Sequence, residues 1–112
     1  MRVRAGVNQI GKQPEMRAVE DAVTAVFSRY GVEPEMTACV GGIHSSPRSW
    51  HHFGMAQDYT LAAVPRHAHT QLVAALRAAL GPPYQVVHHE GSHIHIECDI
   101  DAYPEYRRGG TA

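Results

Sequence analysis

The sequence predicts an α+β fold in which two main helices pack on a small, mostly antiparallel sheet. Two segments repeat apolar residues with the period of a helix, and four shorter segments have the residue content of strands. Along the chain these elements follow the order helix, strand, strand, helix, strand, strand. That order is typical of an α+β domain with its helices packed on a mostly antiparallel sheet.

The first helix is expected over residues 14–30. Pro14 suits the first helical position, where its missing N–H has no partner to lose, and Gly31 suits the left-handed residue after the last turn. One face repeats apolar side chains at the spacings i, i+3, i+4, i+7, i+8 and i+11. These side chains are Val19, Ala22, Val23, Val26, Phe27 and Tyr30.

The next segments predict two strands and a second helix. Residues 35–40 and 54–61 are expected to be strands, and residues 43–53 between them have no period and predict a loop. The second helix is expected over residues 65–80, because a proline opens it and Gly81-Pro82-Pro83 ends it. Its apolar face contains Ala68, Leu72, Ala75, Leu76 and Ala79.

The last two strands are predicted to form a hairpin. Residues 84–89 and 92–99 flank Glu90-Gly91, a pair that is typical of a tight turn. Residues 101–112 end in Arg-Arg-Gly-Gly-Thr-Ala and are expected to be a fraying tail.

Length and composition bound the possible functions. The 112 residues predict one domain over 1–112, with a core over about 14–100. Ten Lys and Arg against eleven Asp and Glu give a net charge of −1, which argues against nucleic acid as the main partner. No apolar stretch approaches the roughly 20 residues of a membrane span, and residues 1–13 lack the apolar region of a signal peptide. Two cysteines are too few for a disulfide scaffold.

Histidine is the unusual component, with nine residues, seven of which fall in the windows 44–52 and 88–95. A consecutive terminal run would indicate a tag, but these clusters are internal. Two clusters separated by a helix-length segment suggest ligands that the fold brings together. Surface or helix-capping roles are expected for His52, His67, His69 and one of His88 and His89.

The last strand alternates polar and apolar residues. This phase directs Ile94, Ile96 and Cys98 toward the core and puts His93, His95 and Glu97 on the opposite face. Imidazoles two residues apart on one face lie about 6–7 Å apart along the strand, so both can serve one site. Cys98 is therefore expected to be a small core residue rather than a ligand, and Cys39 receives the same interpretation.

The strand at 54–61 supplies an acid on a face with little side-chain bulk. Gly54, Ala56 and Asp58 share that face, which leaves room above the sheet for a metal and a substrate. Asp58 with His51 and His95 would give the three-ligand set of a catalytic zinc site, with the fourth position left to water. From these residues alone, a metal site and a satisfied polar cluster both remain open.

A wider motif is more specific. Residues 49–58, Ser-Trp-His-His-Phe-Gly-Met-Ala-Gln-Asp, fit S-x-H-x-x-G-x-A-x-D at every fixed position, and His93-Ile94-His95 follows some 35 residues later. This pattern resembles the zinc D-alanyl-D-alanine peptidases and the related hedgehog amino-terminal domain, and is most similar to the short, phage-type peptidases. In those, H-I-H-x-E-x-D closes the sheet, as His93 to Asp99 does here. The resemblance covers about residues 35–100.

The resemblance implies a role for each matched residue. His51, Asp58 and His95 would bind Zn²⁺, and His93 would be a catalytic histidine beside the metal. In several members a Glu or His shortly before H-x-H also faces the site. Glu90 or His89 could fill that place. Glu90 is our candidate for the general base, with His93 stabilising the oxyanion or sharing the proton transfer.

The substrate-binding set departs from the family. Peptidases of this group often carry an arginine before the first motif that binds the substrate's carboxylate, whereas Ala38-Cys39-Val40 stands there in this chain. Arg48 or His44 could replace it, and Ser49 and Trp50 complete the expected substrate-binding residues. The departure weakens a carboxypeptidase and leaves an endopeptidase open.

The expected function is therefore a zinc-dependent peptidase that hydrolyses the stem or cross-bridge peptides of bacterial peptidoglycan. Such a protein would be made in the bacterial cytoplasm and act on the wall, as a phage lysis enzyme or a virion-associated domain. The alternative is a non-catalytic zinc module with a hedgehog-like groove that binds a protein or cell-wall partner. A 2-His-1-carboxylate iron oxygenase is disfavoured, since those enzymes place the acid two positions after the first histidine. The sequence leaves the oligomeric state open.

Overall fold

Two helices and a five-stranded sheet make up the residues that the computed structural model describes, 1–40 and 54–99. The predicted α+β class is confirmed. The helices are α1 (Met16–Ser28) and α2 (His69–Leu80), and a short 3-10 turn, Arg66–Ala68, precedes α2. The strands are β1 (Arg2–Val3), β2 (Glu35–Ala38), β3 (Ala56–Thr60), β4 (Tyr84–His89) and β5 (His93–Cys98).

The strands lie in the order β1-β2-β3-β5-β4, so β5 is inserted between β3 and β4. Every neighbouring pair is antiparallel except β1 with β2, which confirms the prediction of a mostly antiparallel sheet. The sequence did not predict β1, because two residues show no period. Arg2 and Arg4 hold it beside β2 through ion pairs of 2.9 and 2.6 Å with Glu35.

The ends of the predicted elements differ from the observed ones by a few residues. The first helix begins at Met16 rather than 14, and Gly31 has the expected left-handed φ of 69°. The second helix begins at His69, whose ring Nε2 donates a hydrogen bond of 2.8 Å to the Val64 carbonyl. The β4–β5 hairpin has three loop residues rather than two, because the Ser92 N–H donates to the His89 carbonyl at 3.0 Å.

Both helices contribute to a core that covers one face of the sheet. The β5 side chains predicted to point inward are at most 1% exposed, and both cysteines are buried in the core, as expected. The opposite face of β5 keeps its polar side chains partly exposed. The core consists of Met16, Val19, Val23, Val26, Phe27, Met36, Cys39, Met55, Tyr59, Leu61, Val64, Ala68, Leu72, Val73, Leu76, Val86, Ile94, Ile96 and Cys98.

A buried polar network ties β3 to α1 on the core side. Gln57 is fully buried, and its Oε1 accepts a hydrogen bond of 2.6 Å from the Tyr59 hydroxyl. Its Nε2 donates to Glu20 Oε2 at 2.7 Å, and Lys12 Nζ reaches the same oxygen at 2.9 Å. The network holds β3 against α1 at the residues on either side of Asp58.

Replacing Tyr59 by phenylalanine is expected to lower the free energy of unfolding by about 1–3 kcal/mol, because Gln57 Oε1 loses its donor while it stays buried. Tyr30→Phe is the matched control, since the half-buried Tyr30 ring packs at the margin of the core. It is expected to cost much less. Urea unfolding of both variants checks this, and equal losses would contradict it.

Within the described ranges no helix is long and apolar enough to cross a membrane.

Candidate metal site

The face of the sheet opposite the helices carries the predicted chemistry. Strand register places three residues of each of β3, β5 and β4 on it, in three rows that cross the sheet. In each row, facing residues have Cβ atoms about 4.5–5.5 Å apart. The rows are Thr60–His93–His89, Asp58–His95–Val87 and Ala56–Glu97–Gln85.

The central row brings two of the predicted metal ligands together. Asp58 and His95 face each other across β3 and β5, and Asp58 Oδ1 lies 2.9 Å from His95 Nδ1. Their side chains are 14% and 16% exposed, so the pair is largely enclosed but still reachable from solvent.

A second acid contacts the other side of the same ring. His95 Nε2 lies 2.8 Å from Glu97 Oε1, and the Glu97 side chain is 15% exposed. Burial alone would lower the pKa of His95, but the hydrogen bonds to Asp58 and Glu97 and the charges of both acids outweigh it and raise the pKa to about 9. In the metal-free protein the ring therefore donates from both nitrogens.

The Asp58–His95 pair fits the donor set that zinc prefers. Zinc binds imidazole nitrogen and carboxylate oxygen at about 2.0–2.2 Å in tetrahedral geometry, which puts two such ligand atoms roughly 3.3 Å apart. The observed separation of Asp58 Oδ1 and His95 Nδ1 is 2.9 Å. A shift of a few tenths of an ångström would thus admit the ion in place of the shared proton.

The predicted catalytic histidine lies in the next row. His93 is two residues before His95 on the same face, and its Nδ1 lies 2.8 Å from Ser92 Oγ. Its ring stacks on that of His89 with 4.4 Å between centroids and an interplanar angle of 13°. The stack continues the polar surface from the Asp58–His95 pair toward the hairpin.

Glu90 and His89, two of the candidates for the general base, occupy different positions. His89 lies on the same face as His93, whereas Glu90 is an exposed residue of the hairpin turn. Because Glu90 lies beyond the end of β4, strand alternation does not assign it to either face. Both residues remain candidates.

The third predicted ligand, His51, lies outside the described residues, as do His44, Arg48, Ser49 and Trp50. Among residues 1–40 and 54–99, no group of three or more His, Cys, Asp or Glu side chains could hold a metal ion. Asp58 and His95 are the part of the predicted ligand set that the described structure contains.

Two contacts on this face were not predicted from the sequence. Val87 is 38% exposed and lies directly across from His95, on the side away from Asp58. The alternation of β5 puts Glu97 on the same face as His95, but it does not predict the direct contact of Glu97 with the His95 ring. The position of Val87 across from His95 follows from the pairing of β4 with β5. That pairing could be predicted from the sequence only if the length of the hairpin loop were known.

The chain matches no protein-family model, no curated protein and no solved structure. The resemblance to the zinc peptidases therefore depends on the motif residues themselves.

Proposed function

We propose that this chain is a zinc-dependent peptidase that hydrolyses stem or cross-bridge peptides of bacterial peptidoglycan. The observation that carries the proposal is the contact of Asp58 with His95 at 2.9 Å on the face of the sheet opposite the helices. Both residues belong to the motifs that resemble the family, S-x-H-x-x-G-x-A-x-D and H-x-H. His51 is the proposed third ligand.

The bound zinc ion would polarise the scissile carbonyl and lower the pKa of a water molecule to about 7. The chain's own residues then bind the peptide and move protons. The substrate backbone is proposed to lie along the rows of the sheet, where Val87 offers an apolar contact beside His95.

His93 is proposed to donate a hydrogen bond to the oxygen that becomes negative during attack on the peptide bond. Its position supports this role, because two residues along a strand put it about 6–7 Å from His95. A neighbouring base, Glu90 or His89, takes a proton from water and returns it to the leaving amine.

The setting proposed for this activity is the cell wall. The protein would be made in the bacterial cytoplasm and reach peptidoglycan as a phage lysis enzyme or as part of a virion. The departure at Ala38-Cys39-Val40 from the family's carboxylate-binding arginine weakens a carboxypeptidase and leaves an endopeptidase open.

Digestion of purified peptidoglycan, with mass spectrometry of the products, tests the proposal. The zinc-loaded wild type is expected to release new peptide termini, and their masses identify the bond as D-Ala-D-Ala, L-Ala-D-Glu or a cross-link. A chelator should stop the release and zinc should restore it. His51→Ala should be inactive, whereas His67→Ala, a change of an exposed histidine on the 3-10 turn, should be as active as wild type.

Glu90→Gln and His89→Gln test which residue is the base. The variant that lacks the base should lose most of the rate of hydrolysis while it still binds zinc. Absence of new termini with fully loaded wild type would contradict the peptidase.

The second candidate is a zinc module without catalysis, and the exposed position of Glu90 in the turn favours it. In that case zinc removal lowers the free energy of unfolding, and no peptide bond is cut at any zinc occupancy.

A further inference from the structure

The Glu97 carboxylate is largely enclosed and contacts the His95 ring. It lies two residues after His95 on the same face of β5, opposite the fully buried Ala56, and is 15% exposed. Among residues 1–40 and 54–99, its hydrogen-bonding partner is the His95 ring. Since Ala56 carries only a methyl group, Glu97 can occupy the space above it and reach the ring from the side away from Asp58.

Each of the two acids contacts one ring nitrogen of His95. Nδ1 lies 2.9 Å from Asp58 Oδ1 on the neighbouring strand, and Nε2 lies 2.8 Å from Glu97 Oε1 on its own strand. A largely enclosed carboxylate without a hydrogen-bond donor lowers the stability of the fold. The Nε2–H group therefore stabilises Glu97, and Glu97 in turn orients the ring. Glu97 thus holds the Nε2 proton, and the Nδ1 proton beside Asp58 is the one that a bound metal ion would replace.

We propose that Glu97 is a positioning residue that keeps the Nε2 proton of His95 and thereby leaves Nδ1 as the metal-binding nitrogen. The inference rests on the proposed metal site and specifies which ring atom serves it. Acids that accept the second N–H of a ligating histidine fix its tautomer and make the ring a stronger ligand. Glu97 is therefore the outer partner of His95, and Asp58 is the acid that shares the ion with it.

Zinc affinity measured by competition with a chromophoric chelator tests the role of the carboxylate. Glu97→Ala is expected to weaken zinc binding about 10–100-fold. Glu97→Gln should lose less, because its amide oxygen still accepts the Nε2–H. Gln85→Ala, next to Glu97 in the same row, should bind zinc like wild type. Wild-type affinity in Glu97→Ala would overturn the proposal, provided that circular dichroism shows all four proteins folded.

Long-range ¹H–¹⁵N NMR of the zinc-loaded wild type separates this role from direct ligation by Glu97. We expect His95 to keep a protonated Nε2 and to bind zinc through Nδ1, and binding through Nε2 would overturn the proposal. Hydrolysis is scored separately. If His95 binds zinc through Nδ1 and Glu97→Ala weakens zinc binding, but the wild type cuts no peptide, the role of Glu97 is supported and the peptidase is contradicted.

Discussion

Asp58→Asn is expected to abolish hydrolysis while the protein stays folded. The amide has the size of the acid, but it lacks the negative charge that favours zinc beside His95 Nδ1, from which the carboxylate is 2.9 Å away. Loss of the proposed ligand Asp58 should lower activity more than loss of Glu97, which is proposed to act through the ring of His95. We therefore expect the rate of peptide release to fall at least about 100-fold. The measurement is the initial rate on purified peptidoglycan at a fixed zinc concentration.

The matched control for this change is Asp21→Asn. Asp21 is an acid on α1 whose side chain is 72% exposed and 3.8 Å from Arg17, far from the sheet face that carries the site. An exposed ion pair of this kind contributes little, so its removal should leave both rate and stability close to wild type. A wild-type rate in folded Asp58→Asn would remove Asp58 from the ligand set.

Gly54→Ala is expected to cause the largest loss of stability. Gly54 has a φ of 71°, which costs a residue with a Cβ atom about 1–2 kcal/mol. The added Cβ would also overlap the Gly11 carbonyl oxygen and lie 2.9 Å from its carbon. Backbone overlap of this kind adds about 1–3 kcal/mol, so the total expected loss is about 2–5 kcal/mol. Urea or thermal unfolding measures it.

Gly31→Ala measures the cost of a left-handed φ without the overlap that Gly54→Ala would add. Gly31 has a similar φ of 69°, but no atom lies within 4 Å of the position its Cβ would take. It should lose only the part that comes from strain, about 1–2 kcal/mol. If the two variants lost the same stability, the close approach of Gly11 to Gly54 would not constrain the fold.

Gly54 also gives a physical reason for one fixed position of the motif. The Gln13 N–H donates to the Gly54 carbonyl at 3.0 Å, so the segment before α1 lies directly against the start of β3. Only a residue without a side chain allows this approach. The glycine of S-x-H-x-x-G-x-A-x-D thus sets the position of the strand that carries Asp58.

Alternation on β5 predicted most of what the structure shows there. Period two alone separated Ile94 and Ile96 from His93 and His95, because that phase is a property of consecutive residues. The facing of Asp58 and His95 could not be derived in this way. It depends on the register of two strands that are 37 residues apart and are separated along the chain by α2 and β4.

Other features lacked a local signal. The β1 strand is too short to show a period, and it forms only because residues near Glu35 pair with it. Gln57 is polar at a buried position, which composition alone would place outside. Its burial is explained by donors and acceptors from Tyr59 and Glu20, which the fold supplies.

Zinc K-edge X-ray absorption of the loaded protein tests whether His51, Asp58 and His95 hold the metal ion. We expect a shell of nitrogen and oxygen only, at about 2.0–2.2 Å, with the outer-shell scattering of two imidazoles, from His51 and His95. We expect no sulfur shell near 2.3 Å, since Cys39 and Cys98 are both buried in the core. A sulfur shell, a single imidazole, or zinc surrounded by water alone would contradict the proposed site.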